Sequence, residues 1–257
     1  MIPDAHCHLD QLDDADGAVA EAEAAGTGPI LAVSMDSISA ERILILRQRH
    51  PGLVLAGIGL HPSRVPEILP DEMRHEMRRL EALLPSADFI GEIGLDHKDA
   101  LTEEDRARQR EALSIQLGWA EECRLPVNLH SRRADREVLE AAIAFRERTG
   151  LGALMHWFTH SKKLARLCAL QGIFISAGPS VLIDPSTAGV AAQIADAILL
   201  VETDSPVEYG AQGPARPSWA PRVLARLAEL RGVTSESLVR IVGGNLSDYL
   251  GRPAQAP

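Results

Sequence analysis

Three cysteines in 257 residues, Cys7, Cys123 and Cys168, are too scattered and odd in number to read as a disulfide framework. A reduced, cytoplasmic setting is therefore expected. No apolar run approaches the roughly 18 residues needed to cross a bilayer, which argues against a membrane-spanning helix. The opening "MIPDAHCHLD" has neither the basic nor the apolar stretch of a secretory signal. Positive charge is short as well: 26 Lys and Arg face 36 Asp and Glu, a formal net charge of −10. Lysine is confined to Lys98, Lys162 and Lys163, against 23 arginines. Non-specific DNA binding rests on neutralising phosphates with a basic surface, so this balance counts against a nucleic-acid scaffold. It leaves open an enzyme whose metal ions supply the positive charge locally.

What is present is a regular series of short apolar runs. They are "IPDAHC" (2–7), "PILAVSM" (29–35), "LVLAGIGLH" (53–61), "DFIGEIGLD" (88–96), "PVNLHS" (126–131), "GALMHW" (152–157), "GIFISAGP" (172–179) and "ILLVETD" (198–204). Most are nearly continuous in Ile, Val, Leu and Ala, as parallel strands covered by helices should be. Helical segments lie between them. Thr102 followed by Glu103, Glu104 and Asp105 is an N-cap with acidic residues in the first turn. Leu113, Leu117 and Ala120 repeat at helical spacing, as do Val138, Leu139, Ala142 and Ile143. Leu224, Leu227 and Ala228, then Leu238, Ile241 and Val242, give two more faces, the last ending at Leu250 before Gly251. Eight strand–helix alternations predict a (β/α)8 TIM barrel of the α/β class. A doubly wound open sheet fits less well, because acidic "QLDDADG" rather than a glycine-rich phosphate loop follows the first strand. The chain reads as one domain over 1–252 with a frayed tail at 253–257.

A barrel places its chemistry at the C-terminal ends of its strands, and polar residues gather there. His6 and His8 sit one residue apart, sharing a face by the period-two rule. Glu92 lies in the fourth run, His130 ends the fifth, His156 the sixth and Asp204 the eighth. Each alone has a bland reading: a hydrogen-bonded core histidine, or a helix cap for Asp204. A lone carboxylate within "FIGEIGL" is harder to dismiss, since buried charge must find a cation. Five separate polar intrusions at one rim are best explained by metal binding. Four imidazoles and two carboxylates exceed one tetrahedral site and suit two cations sharing a bridge. Imidazole favours Zn, Mn or Fe, and carboxylate with water also admits Mg.

These motifs together resemble the TatD family of metal-dependent deoxyribonucleases, in the amidohydrolase-like barrel superfamily. The matching stretches are "DAHCHLD" (4–10), "GIGLHP" (57–62), "GEIGLD" (91–96), "VNLHSR" (127–132), "LMHWFTHS" (154–161), "ETDSP" (202–206) and "GNLSDYLG" (244–251). The resemblance implies two divalent cations, Zn, Mg or Mn: one held by His6, His8 and Asp204, the other by His130 and His156, with Glu92 bridging. It also implies that His61 and Arg132 face the substrate, with Arg132 suited to phosphate. The other histidines, His50, His75, His97 and His160, read as solvated or structural, and Trp157 and Phe158 as packing. One departure stands out. The basic segment that follows "ETDSP" in DNA-cleaving members is replaced by "VEYGAQGPARPSWAP", which keeps Arg216 and Pro217 but little positive charge.

The reaction expected is hydrolysis by a water that two cations about 3.5–4 Å apart activate. Asp204 is the candidate base, and Arg132 and His61 steady the phosphoryl oxygens. The substrate expected is DNA, single-stranded or with frayed ends, cut exonucleolytically by a monomer without an obligate protein partner. Phosphodiester cleavage should then need Arg132 and Arg216. The alternatives are an ester or amide hydrolase on the same site, acting on aminoacyl-tRNA or a small cyclic amide, and a non-catalytic metal-binding partner protein.

Overall fold

The computed structural model describes residues 1–158 and 161–251. The tail expected at 253–257 and His160 lie outside the described residues. The strands are β1 Ile2–Cys7, β2 Thr27–Val33, β3 Val54–Ile58, β4 Phe89–Asp96, β5 Val127–Arg132, β6 Ala153–Met155, β7 Phe174–Ala177 and β8 Leu199–Val201. Helices follow them in turn: α1 Ala15–Ala24, α2 Ser37–Arg49, α3 Pro70–Leu83, α4 Glu103–Cys123, α5 Asp135–Thr149, α6 Lys162–Gln171, α7 Pro185–Ala191, α8 Ala220–Arg231 and α9 Ser235–Tyr249. The strands pair in parallel in strict chain order from β1 to β8. That order is a TIM barrel; a doubly wound sheet would reverse direction at a switch point.

The seam between β8 and β1 is closed by the segment just past β8. The His6 carbonyl accepts from the Asp204 N–H at 2.9 Å, and the Ser205 carbonyl accepts from the His8 N–H at 2.8 Å. Fully buried Asp4 adds a side-chain stitch. Its carboxyl accepts from the Thr203 N–H at 2.8 Å and from the Thr203 hydroxyl. Burial pushes the Asp4 carboxyl well above its ordinary range, the Thr203 hydrogen bonds offsetting only part of that. Helices α8 and α9 pack over this seam, and Asn245 of α9 donates to the Leu199 carbonyl at 2.8 Å.

Aliphatic burial holds the rest together. All eight residues of β4 are buried, and the helices present the expected faces: Leu113 and Ala120, Val138, Leu139 and Ala142, Leu224, Leu227 and Ala228, Leu238 and Val242 are buried. Leu117, Ile143 and Ile241 pack at the edge of that core, and Phe145 fills the α5 face instead. Thr102 caps α4, its hydroxyl accepting from the Asp105 N–H at 3.1 Å. Gly251, at φ +63, ends α9 as a left-handed residue.

Several strands end before their apolar runs do. β3 stops at Ile58, β6 at Met155 and β8 at Val201, so His61, His156 and Asp204 stand past the ladder. There the backbone is free to turn over the barrel mouth. Asp204 adopts φ +48 and Trp157 φ +43, left-handed values that cost a non-glycine residue about 1–3 kcal/mol and cluster where function requires them.

Candidate metal centre

Glu92 stands at the middle of the mouth and is fully buried. Its Oε2 lies 3.3 Å from Nε2 of His6 and 3.3 Å from Nε2 of His8. Asp204 Oδ1 is 3.5 Å from each of those nitrogens. On the other side, Glu92 Oε1 lies 2.7 Å from His156 Nε2, 2.8 Å from His130 Nδ1 and 3.3 Å from His61 Nε2. The six residues singled out as ligands thus gather around Glu92 and the His6 and His8 rings, from β1, β4 and β5 and from the turns after β1, β6 and β8. His61 joins them from the turn after β3. All of them but His6 line, with Arg132, Trp157 and Val207, a cavity of about 510 Å³.

The donors fit a cation. His6 Nε2, Glu92 Oε2 and Asp204 Oδ1 are buried and have no hydrogen-bond partner among the described residues. Two donors each about 2.1 Å from a shared zinc at the tetrahedral angle lie about 3.4 Å apart, and His6 and His8 Nε2 stand 3.3 Å from Glu92 Oε2 and 3.5 Å from Asp204 Oδ1. The second group, Glu92 Oε1 with His130, His156 and His61, is a separate set of donors sharing the same carboxylate. Two cations bridged by Glu92 would satisfy both.

Residues behind the donors aim them. The Asn128 side chain donates to the Ala5 carbonyl at 3.0 Å, so its Oδ1 faces His6 Nδ1, also at 3.0 Å. An amide oxygen only accepts, so the proton of neutral His6 sits on Nδ1 and Nε2 presents a bare lone pair to the cluster. Asp96 Oδ2 is 3.1 Å from His130 Nε2, which leaves Nδ1 of that ring for Glu92. Glu202 faces His156 Nδ1 at 3.8 Å, accepts from the Trp157 N–H at 2.7 Å and is bonded by the Ser176 hydroxyl. The rings of His6 and His156 stack at 3.7 Å. Sequence reading passed over Asn128, Asp96 and Glu202. A period-two signal marked two of them, since Asn128 precedes His130 and Glu202 precedes Asp204 by two positions.

Burial alone would raise the Glu92 carboxyl, but His61, His156 and His6, with the bond from His130, hold it well below the usual range. Burial works against charge on the rings too. Glu92 and Asp204 nevertheless raise His8, Asp96 and Glu92 raise His130, and Glu92 and Glu202 hold His156 well above the ordinary value. His61 behaves oppositely: burial, with His130 beside it, brings it down to about 4.

The remaining expected residues are placed variously. Arg132 is half-exposed, 3.7 Å from Asp96. Arg216 does not line the cavity; its guanidinium is held at 2.7 Å by Glu21 of α1. His50 pairs with Asp16 at 2.7 Å, His75 contacts Arg78 at 2.8 Å, and His97 lies 3.9 Å from Glu137, none of them on the cavity. Phe158 is buried, whereas Trp157 lines the mouth and is only partly buried.

Residues 3–251 match the family model described as TatD related DNase. The chain is 29% identical to the human protein named deoxyribonuclease TATDN3, over 95% of this chain and 92% of that protein. It is 32% identical to the Escherichia coli metal-dependent hydrolase YjjV, over 94% of this chain and 95% of that one. The crystal structure of Escherichia coli YjjV, described as a TatD homolog, superposes with a TM-score of 0.85 at 27% identity, covering 98% of both chains.

Proposed function

The chain belongs to the TatD related DNase family and is a hydrolase acting on ester bonds; from that premise we propose that it cleaves phosphodiester bonds of DNA, working inward from single-stranded or frayed ends. The observation that carries this reading is the convergence of His6 and His8 on one oxygen of Glu92, with Asp204 3.5 Å from both rings, and of His130 and His156 on the other oxygen. The two groups would hold two divalent cations, Zn, Mg or Mn. When bound, such a pair lowers the pKa of a water toward about 7 and polarises the phosphoryl oxygens.

The chain's own residues supply the rest. Asp204, on its left-handed backbone at the rim, is placed to take a proton from the attacking water as well as to bind. Arg132, half-exposed beside the donors, offers two parallel N–H groups to a phosphate as negative charge builds on it. His61 is neutral above about pH 4, so its ring can lie against the site without adding a second like charge. The buried walls around Glu92 keep bulk water from competing for the donors.

A second reading keeps the site and changes the substrate to a small ester or amide. The placement of Arg216 favours it, because that arginine is engaged by Glu21 and away from the cavity. The deciding experiment is hydrolysis of end-labelled single-stranded DNA with Mg, Mn and Zn supplied separately, beside His6→Ala and a panel of cyclic amides and aminoacyl esters. Progressive shortening that His6→Ala abolishes supports the nuclease. Turnover of an amide or aminoacyl ester alone would replace it. A monomeric, cytoplasmic enzyme belongs to the same reading, consistent with three free thiols; among the described residues no helix is long and apolar enough to cross a membrane.

A further inference from the structure

We propose that Trp157, backed by Tyr209, is a stacking subsite for a nucleobase flanking the phosphate under attack. This inference rests on the phosphodiester reading above. The chain has only three Trp and two Tyr, and three of those five rings form one wall beside the metal donors. Trp157 and Tyr209 lie 6.0 Å apart with ring planes 28° from parallel. Tyr209 and Trp219 are 6.4 Å apart, and the Arg222 guanidinium stacks on Trp219 at 4.9 Å.

The wall is held in place from behind. Trp157 directly follows His156 in the chain and lines the same cavity as His8, Glu92, His130 and Asp204. Its backbone takes φ +43, which an L residue adopts only when its surroundings compel it. The Glu202 carboxylate accepts its N–H at 2.7 Å, anchoring that turn to the segment just past β8. Tyr209 is 6% exposed and Phe158 2%, as packing residues are. Trp157 alone of the three lines the open cavity.

Charge argues the same way. The segment 207–219 holds one arginine, engaged by Glu21, and one glutamate, Glu208. It therefore offers a strand of nucleic acid almost no net attraction, and an aromatic face is what remains to grip it. Every base has a π-face, so such a contact is tolerant of sequence and insensitive to salt, unlike phosphate contacts.

The test uses metal-loaded protein and oligonucleotides carrying thymidine or 5,6-dihydrothymidine next to the scissile bond. The two bases share a hydrogen-bonding edge, but the saturated ring is not planar. Wild type is expected to prefer thymidine by about tenfold in kcat/KM, with the preference unchanged by salt. Trp157→Ala should bring the ratio close to one, and Trp157→Phe, which keeps a ring in the fold, should retain part of it. Equal use of the two bases by wild type, or an unaltered ratio in Trp157→Ala, would overturn the subsite while leaving the nuclease intact. If wild type cuts neither oligonucleotide, it is the phosphodiester reading that fails, and binding judges the wall. Thymidine 5′-monophosphate should then quench tryptophan fluorescence in wild type and not in Trp157→Phe, and identical quenching in both would overturn it.

Discussion

The amide oxygen of Asn128 and Nδ1 of His6 lie 3.0 Å apart across the barrel from β5 to β1, with the Asn128 amide nitrogen engaged by the Ala5 carbonyl. That pair sets which nitrogen of His6 is free to bind. Asn128→Leu keeps the volume and removes the acceptor. It should weaken binding of a divalent cation at His6 by about 10–100-fold, the usual cost of losing a partner behind a ligating histidine. Competition with a chelator, read as bound metal per chain, measures this. Unchanged affinity would mean that the ring is oriented by its packing against His156 alone.

Metal-free protein should be most stable near about pH 6.5, the histidine value of an unfolded chain. His8, His130 and His156 are raised in the folded state, so their contribution is complete below that value and is lost as pH climbs through their folded values. His61, lowered to about 4, works the other way and costs stability as pH drops from about 6.5 toward 4. Glu92, held low, keeps its contribution until acid protonates it. Saturating metal holds the rings deprotonated and should remove the decline on the alkaline side. Melting temperatures across pH with and without chelator test this; a chelated protein that gains stability from pH 6.5 to 8.5 would contradict it.

Asp204→Asn should fold, because the backbone bond from its N–H to the His6 carbonyl survives, and should lose at least about a thousandfold in turnover as both donor and base disappear. Circular dichroism with single-turnover cleavage separates the two effects. Wild-type turnover in this variant would remove Asp204 from the chemistry.

Two arginines should behave unequally. Arg132→Ala should lower kcat/KM by about 10–100-fold, the worth of a charge-assisted contact, because Arg132 lines the cavity. Arg216→Ala should change it by less than about threefold, since that side chain is occupied by Glu21. Equal losses would show that the segment after β8 rearranges around the substrate.

Gly94→Ala should destabilise the barrel by more than about 2 kcal/mol. Gly94 sits at φ +148, and a Cβ there would lie 2.1 Å from the His130 carbonyl oxygen. The neighbouring Gly91 is similarly confined, 2.7 Å from Asn128 Cβ. Urea denaturation reads the cost, and an unperturbed midpoint would show that β4 and β5 can separate without penalty.

The barrel was legible before any coordinates because its cause is local. Eight apolar runs of strand length, alternating with capped amphipathic helices, leave few other ways to bury both faces of a parallel sheet. The six candidate ligands that the structure gathers at one mouth were legible too, since polar side chains at the ends of apolar strands stand out one at a time. Three-dimensional structure alone decided the rest. Arg216 and Arg132 look alike in the chain, yet Glu21, 195 positions from Arg216, claims the first and leaves the second at the mouth. Asn128, Asp96 and Glu202 become orienting groups only through partners on other strands, and Trp157 becomes a wall only because Tyr209 folds back behind it. Secondary structure follows from neighbours within a few residues, whereas the aim of a side chain depends on groups that only the closed barrel brings within 4 Å.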